Sequence, residues 1–406
     1  MNTFVQDLKF GLRMLAKNPG FTAVAVITLA LGIGANTAIF SVVNAMLLRP
    51  LPFPESSQLV VVGCSNGQEA PGNCSYPDFE DFSRQNHSFQ DLGTHRTTGV
   101  TLIGHGAPQT VGCAYVSASL FNVLRLRPEL GRVFNANEDQ PGANPVAVIS
   151  DQFWRKTLSA DPDILGQNIR LDEKSFTIIG VAPPGFEFPL NSGTDIWAPE
   201  AQSTLFGRKV RESRGSQWMS LLGRLKPDVS VRQAQAAMAT IASRLAHQYP
   251  KDDATLNVRV EGLRQFVLGD ARTLLWVLLA AVGFVLLIAC TNVANLILTR
   301  AAGQEKEIAI RAALGASRKR LIQRVLTESL ALAGLGGAVG LLIAGWGIAP
   351  LTHFVPGKVP GLANVHLDWR VLVFAIIVSI LTGLIFGSIP AIFASKPDLV
   401  SALKEG

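Results

Sequence analysis

Asp78, Glu80 and Asp81 stand together in the segment SYPDFEDF. Two carboxylates at that spacing could divide general acid and base work between them. Tyr76, Phe79 and Phe82 interleave with them, so the segment is expected to be a solvated helix start held by aromatic staples. His87, His95 and His105 are scattered without metal-ligand spacing and are expected on the surface or in loops, with no metal held. The four cysteines are Cys64, Cys74, Cys113 and Cys290. Cys64 and Cys74 flank the turn-rich stretch SNGQEAPGN, so a disulfide is possible if that block lies outside the cytoplasm; unpaired thiols are the alternative. The chain contains no GxxxxGK[ST], so it is not expected to bind ATP, or any cofactor directly. Without a nucleophile–base arrangement either, it is not expected to be an enzyme.

The elements that would position these residues divide sharply by composition. The chain has 406 residues, 48% hydrophobic and 16% charged, with four long apolar stretches. The first, Phe21–Leu48, holds no ionisable side chain, and its run is too long and lacks the small-residue cleavage site of a removable signal peptide. As a helix it would extend about 42 Å, well over the roughly 30 Å of a hydrocarbon core. Residues 2–17, with Lys9, Arg13 and Lys17 along one line, read as a short interfacial helix before it. Further spans are expected at 271–299, 325–350 and 371–393. Gly32 and Asn36 in the first, Asn292 and Asn295 in the second, Gly336 and Gly340 in the third, and Gly383 and Gly387 in the fourth are expected at helix–helix contacts. Gly334-x-Gly336 is not a dinucleotide fingerprint, because no strand precedes it. No acidic or basic residue lies deep in a span, which argues against a carrier with a charged midplane site.

The stretch Arg300–Ser329 orients the chain. It carries seven basic residues against three acidic ones, and basic excess in a short loop marks the cytoplasmic side. Both termini then lie in the cytoplasm, and the block between the first two spans lies outside. The block 49–270 carries 21 basic and 23 acidic residues, so the net charge of +6 reflects membrane orientation and not a nucleic-acid surface. Within it, Leu59–Val62, Val146–Ile149, Ser175–Val181 and Trp218–Leu225 read as strands. Ser230 caps an Ala-rich amphipathic helix to about His247, and Val258–Leu263 returns as a strand, so 217–263 is a β-α-β unit. The expected fold is a multi-pass α-helical membrane protein with four transmembrane helices and a large α/β (α+β) domain between the first and second.

Three segments together resemble one family. They are NPGFTAVAVITLALGIGANTAIFSVVNAMLLRPLPFP at 18–54, VAVISDQFWRKTLSADPDILGQNIRLDEKSFTIIGVAPPGFEFP at Val146–Pro189, and EKEIAIRAALGASRKRLIQRVLTES at 305–329. The chain resembles the MacB/FtsX-like permeases of ABC transporters over essentially its whole length. The resemblance implies residues 1–48 as the interfacial helix and first span, 49–270 as a periplasmic core domain and 271–406 as the permease domain. The core would have a porter-like part, to which 217–263 contributes, and an inserted second part at about 128–200. It also implies that Glu305, Glu307, Ile308, Arg311 and Leu314 form a coupling helix seated on a separate ABC ATPase, which alone would use ATP. Gly315 would end that helix in a left-handed cap. Implied partners are a second permease copy, identical or related, the ATPase chains, a periplasmic adaptor and the lipid bilayer of the inner membrane. The implied activity is mechanotransmission for export, efflux or envelope remodelling; an ATPase-independent periplasmic sensor or scaffold is the alternative. The sequence departs from longer relatives in holding one four-span unit without a second copy, and no fused ATPase domain.

Overall fold

The computed structural model describes residues 13, 15–66, 72–104, 106–190, 192–203, 208–269, 271–302, 318–354 and 368–394. It divides into two compact units, residues 1–49 with 270–406 and residues 50–269. The first begins with α1, Pro19–Val43, which continues as a π-turn over Asn44–Leu48. Pro19 opens the helix where its missing N–H is no loss.

The α/β unit contains β1 (Leu59–Asn66), α2 (Tyr76–Gln85), β2 (Phe89–Ile103), β3 (Gln109–Val116) and α3 (Ser119–Leu124). Next come β4 (Leu130–Gly131), β5 (Val146–Ile149), α4 (Asp151–Lys156), β6 (Asn168–Leu171), β7 (Lys174–Val181) and β8 (Ile196–Pro199). A 3-10 turn at Glu200–Gln202 leads to α5 (Arg208–Arg211), β9 (Ser220–Leu225), α6 (Val231–Gln248), β10 (Leu256–Gly262) and α7 (Leu263–Leu268).

One half of the sheet has the order β10-β1-β9-β2. Both β9 and β10 run antiparallel to β1, so they are parallel to each other with β1 between them. The expected β-α-β unit is therefore present, but split by a strand from far upstream. α6 starts with a full capping box: the Ser230 hydroxyl accepts from the Gln233 N–H, and the Gln233 side chain accepts from Ser230 N–H. Its apolar face, Ala234, Met238, Ile241, Ala242 and Leu245, recurs at helical spacing and packs with Val60, Val62, Phe79 and Phe82 in one core. Leu59 and Val61 point the other way, into a core with α3. This is why Leu59–Val62 reads as an unbroken apolar run and not as an alternation.

The other half closes on itself. β2 pairs with β3, β3 with β8, β8 with β5, β5 with β7, β7 with β6, and β6 returns to β2. Six strands thus form a ring whose interior holds a second core that includes Val100, Cys113, Ile149, Ile169, Phe176 and Ile196. Closure leaves these strands without open edges. The segment 128–200 supplies four of the six, and β2 and β3 supply the rest.

The helical unit is completed by α8 (Ala271–Ala302), α9 (Arg318–Phe354) and α10 (Trp369–Ala394). The four stretches long and apolar enough to span a membrane are Pro19–Leu48, Arg272–Thr299, Val325–Gly347 and Trp369–Ser388. These agree in number and place with the sequence expectation. The mixed α/β unit lies between the first and second, as expected. α9 is longer than its span and begins in the basic segment at Arg318.

Candidate functional site

Among the described residues, the candidate site residues pack helices together and brace the α/β unit. The proposed coupling residues Glu305, Glu307, Ile308, Arg311, Leu314 and Gly315 lie outside the described residues. The seam between helices is fully visible. A Cβ on Gly34 of α1 would lie 2.8 Å from the Gly340 carbonyl oxygen of α9, and a Cβ on Gly340 would lie 2.8 Å from the Ala30 carbonyl oxygen. Backbone therefore meets backbone, an approach only glycine permits. Gly336 sits equally close to Leu29, Gly32 to Leu286 of α8, and Gly383 and Gly387 of α10 face Leu330 and Ser329 of α9. Every glycine expected at a helix contact is found at one.

The amides divide. Asn36 is buried and its Nδ2 donates to Gly32 O at 2.9 Å and, across to α8, to Val282 O at 2.8 Å. Asn292 and Asn295, expected at helix–helix contacts, are exposed within this chain. The cause is the helical period: α8 turns Ala289, Cys290, Val293 and Ala294 toward its neighbours, and the two amides fall on the other side. The end of α1 is tied to the start of α10. Asp368 caps α10 by accepting from Val371 N–H at 3.0 Å, and its other oxygen accepts from Asn44 at 2.8 Å and pairs with Arg49 at 3.1 Å. Sequence reasoning passed over Asp368, although an Asp directly before an apolar run is a helix-start signal.

In the α/β unit, Glu80 is exposed, but Asp78 and Asp81 are neither solvated nor paired for acid–base work. Ser75 caps α2 as a helix start requires, but Asp78 is fully buried and Asp81 nearly so. Both turn onto Arg214, which pairs with Asp78 at 2.8 Å, with Asp81, and with Asp253 at 3.3 Å. The Arg214 guanidinium also stacks 3.7 Å from the Tyr249 ring. Burial first, then the neighbouring Asp78 charge, pushes Asp253 up to about 6. Burial likewise raises Asp78, against the pull of Ser75 and Arg214. Such a charge cluster is a cross-brace joining α2 to the segments before β9 and after α6. No local motif announces it, since Arg214 is distant in sequence from all three partners.

Cys64 and Cys74 are joined in a disulfide, and Cys113 and Cys290 are buried and unpaired. His87 is exposed as expected, but His95 is half-buried and lies in a strand, not a loop. It is part of β2, edge-on to the Phe188 ring at 4.9 Å, and burial pulls it down to about 4, so it is neutral.

Similarity to known proteins falls on both units. The MacB-like periplasmic core domain family matches residues 22–241, more than half of the chain. The chain belongs to the MacB/FtsX-like family of ABC transporter permeases. The FtsX-like permease C-terminal family matches residues 279–399. Among curated relatives, the macrolide export ATP-binding/permease protein MacB of Escherichia coli K12 is 29% identical over 290 residues, 71% of this chain and 42% of the relative. MacB of an E. coli O6 strain is 26% identical over 414 residues, 98% of this chain and 60% of the relative. MacB of Neisseria gonorrhoeae is 26% identical over 76% of this chain and 46% of the relative. The chain thus spans about half the length of the curated relatives it matches. Among solved structures, the periplasmic region of MacB from Actinobacillus actinomycetemcomitans aligns with a TM-score of 0.38 and 15% identity, over 51% of this chain and 89% of that one. The extracellular domain of a noncanonic ABC-type transporter from Gram-positive bacteria aligns at 0.37 and 14%, over 50% and 99%. MacB/FtsX-like permeases are inner-membrane subunits with a periplasmic domain, and the family implies an ABC ATPase as partner.

Proposed function

We propose that this permease transmits ATP-driven movement from a separate ABC ATPase to its own periplasmic unit, for export, efflux or envelope remodelling. The observation that carries the reading is the insertion of the α/β unit between α1 and α8 within a chain of this family. α8 runs 32 residues, about 48 Å at the helical rise, longer than the bilayer core requires. Glycine-to-glycine contact between α1 and α9 makes the helical unit a body that moves as a whole. ATP is bound by the partner, and both termini face the cytoplasm with it. Glu305, Glu307, Ile308, Arg311 and Leu314 form the ATPase contact, ended by Gly315. A second permease copy covers the α8 face that carries Asn292 and Asn295, because exposed amides in an apolar span gain by bonding to another helix. The disulfide Cys64–Cys74 suits the oxidising side of the membrane.

The coupling contact is tested by Arg311→Glu combined with Leu314→Asp in the full chain. The expected result is loss of ATPase co-purification and of permease-dependent ATP hydrolysis, with the chain still inserted and folded. Unchanged association and hydrolysis would sink the coupling role.

A further inference from the structure

A cleft of about 810 Å³ opens in the α/β unit where α2 faces the 3-10 turn after β8. Its walls include Tyr76, Glu80, Glu200, Arg211, Glu212 and Trp218. That volume lies within the range of small-molecule sites. At its wall, Glu200 is only 3% exposed, and among the described residues its carboxyl Oε2 has no hydrogen-bond partner. A buried carboxyl oxygen left without a donor is costly, and a ligand that supplies one recovers that cost.

The neighbouring cations are already engaged. Arg211 lies over the Tyr76 ring at 4.1 Å. Arg96 of β2 donates to Ser203 Oγ at 2.7 Å and lies 5.1 Å from the Trp218 ring. Asp139 accepts from the backbone N–H groups of Ala118 and Ala201 and feels the charge of Arg211. The lining carries Glu80, Glu200 and Glu212 beside Arg211, with two aromatic rings in its wall.

We propose that this cleft binds a small organic cation with a flat apolar body, its cationic head bonded to Glu200 and its body against Tyr76 and Trp218. The inference stands whether or not the ATPase-coupling reading holds. Aromatic faces attract both apolar bodies and cations. Binding is linked to a proton. Burial pushes Glu200 up to about 8, opposed by the nearby charges of Arg96 and Arg211 and reinforced by Asp139. Tyr115 and Cys113 of β3 also face it, and burial keeps both of them neutral. The cation therefore displaces the Glu200 proton at neutral pH and binds without proton release once Glu200 is ionised.

Benzamidine, benzamide and benzoate share one flat body and differ in charge, so they separate the terms. Each is titrated into the full chain in lipid nanodiscs by calorimetry, with empty nanodiscs subtracted. Benzamidine is expected to bind at least about tenfold tighter than benzamide, and benzoate weakest, because only the amidinium meets an ionised carboxylate. Its affinity should rise about tenfold per pH unit below about pH 8 and level off above it. Glu200→Gln should weaken binding and flatten the pH dependence; Trp218→Ala should weaken it several-fold while leaving the slope in place. Absence of saturable benzamidine binding overturns the proposal. So does benzamide or benzoate binding as well as benzamidine, a slope that survives Glu200→Gln, or full affinity in Trp218→Ala.

Discussion

The two units of this chain handle buried polarity in opposite ways. In the α/β unit, charge is buried and matched by charge from far along the chain: Arg214 gathers Asp78, Asp81 and Asp253. Arg224 of β9 is also buried, and donates to the carbonyls of Val123 and Pro54. In the helical unit the buried polar groups are small and mostly bond to their own helix. Thr37 and Ser41 donate to carbonyls four residues earlier, as Thr327 and Ser379 do. Among the described residues its one ion pair, Arg49–Asp368, lies at the helix ends. The difference follows from the solvent. In water, burying large apolar side chains drives folding strongly enough to carry a few desolvated charges with it. In lipid that drive is absent between helices, so close backbone packing through glycine takes its place.

The contrast is put under most strain by removing the cation of the cross-brace. Arg214→Met should destabilise the α/β unit by about 3–5 kcal/mol, because it leaves buried carboxylates without their partner. Denaturant unfolding of the unit, followed by Trp fluorescence, measures it. A loss under about 1 kcal/mol would mean that the cluster is effectively solvated. The pH dependence has a definite sign. Asp253 is held above its ordinary value, at about 6, so the folded state keeps a proton that the unfolded state has released between about pH 4 and 6. This group's contribution is therefore favourable at the acidic end and declines as pH rises through that window. Asp253→Asn, neutral throughout, should remove that part of the slope.

A smaller effect tests the helical half. Gly340→Ala places a methyl 2.8 Å from Ala30 O and 3.0 Å from Gly34 N, so α1 and α9 must move apart. Overpacking of this kind costs about 1–3 kcal/mol. Gly334→Ala and Gly347→Ala on the same helix meet nothing within 4 Å among the described residues and should be neutral or slightly stabilising. Comparing the three by unfolding in detergent separates packing from propensity. Equal behaviour would show that glycine here serves flexibility, not approach.

What was legible in the sequence has the same division. The spans were plain, because length and lack of charge suffice to define a membrane helix. Gly336 and Gly340 were plain because a small residue every fourth position marks a contact face. Their partners Leu29, Ala30 and Gly34 were not, since a face does not name what it meets. Strands β1, β5 and β7 could be read from apolar runs. The return of β6 to β2 could not, because Leu102 and Leu171 are paired across a distance no local pattern encodes. The same holds for Arg214, Asp253 and the orphaned oxygen of Glu200. The charge of these residues is visible in sequence, while their burial is created by the fold. The exposure of Asn292 and Asn295 is not legible either, because their polarity is clear in the sequence and the rotation of α8 is not.

Asn36 is the place where the helical unit departs from its own rule, and it gives the finest test. Its side chain crosses between helices along the span, reaching Val282 O of α8 while also bonding Gly32 O. Asn36→Leu keeps the branched shape of the side chain and removes both bonds. Both carbonyls lie inside helices and keep the backbone N–H donors four residues later, so neither is orphaned. The loss should then be only about 0.6–1.7 kcal/mol, the range for single polar contacts between membrane helices. Double-mutant cycles with Ala289→Leu, which crowds the neighbouring Gly32 contact, would measure how far the two are coupled. A loss above about 3 kcal/mol would place Asn36 with the braces of the α/β unit, as a polar group on which the packing depends. A loss within the predicted range would leave glycine contact as the principal tie between these helices, with the amide setting which face of α8 meets α1.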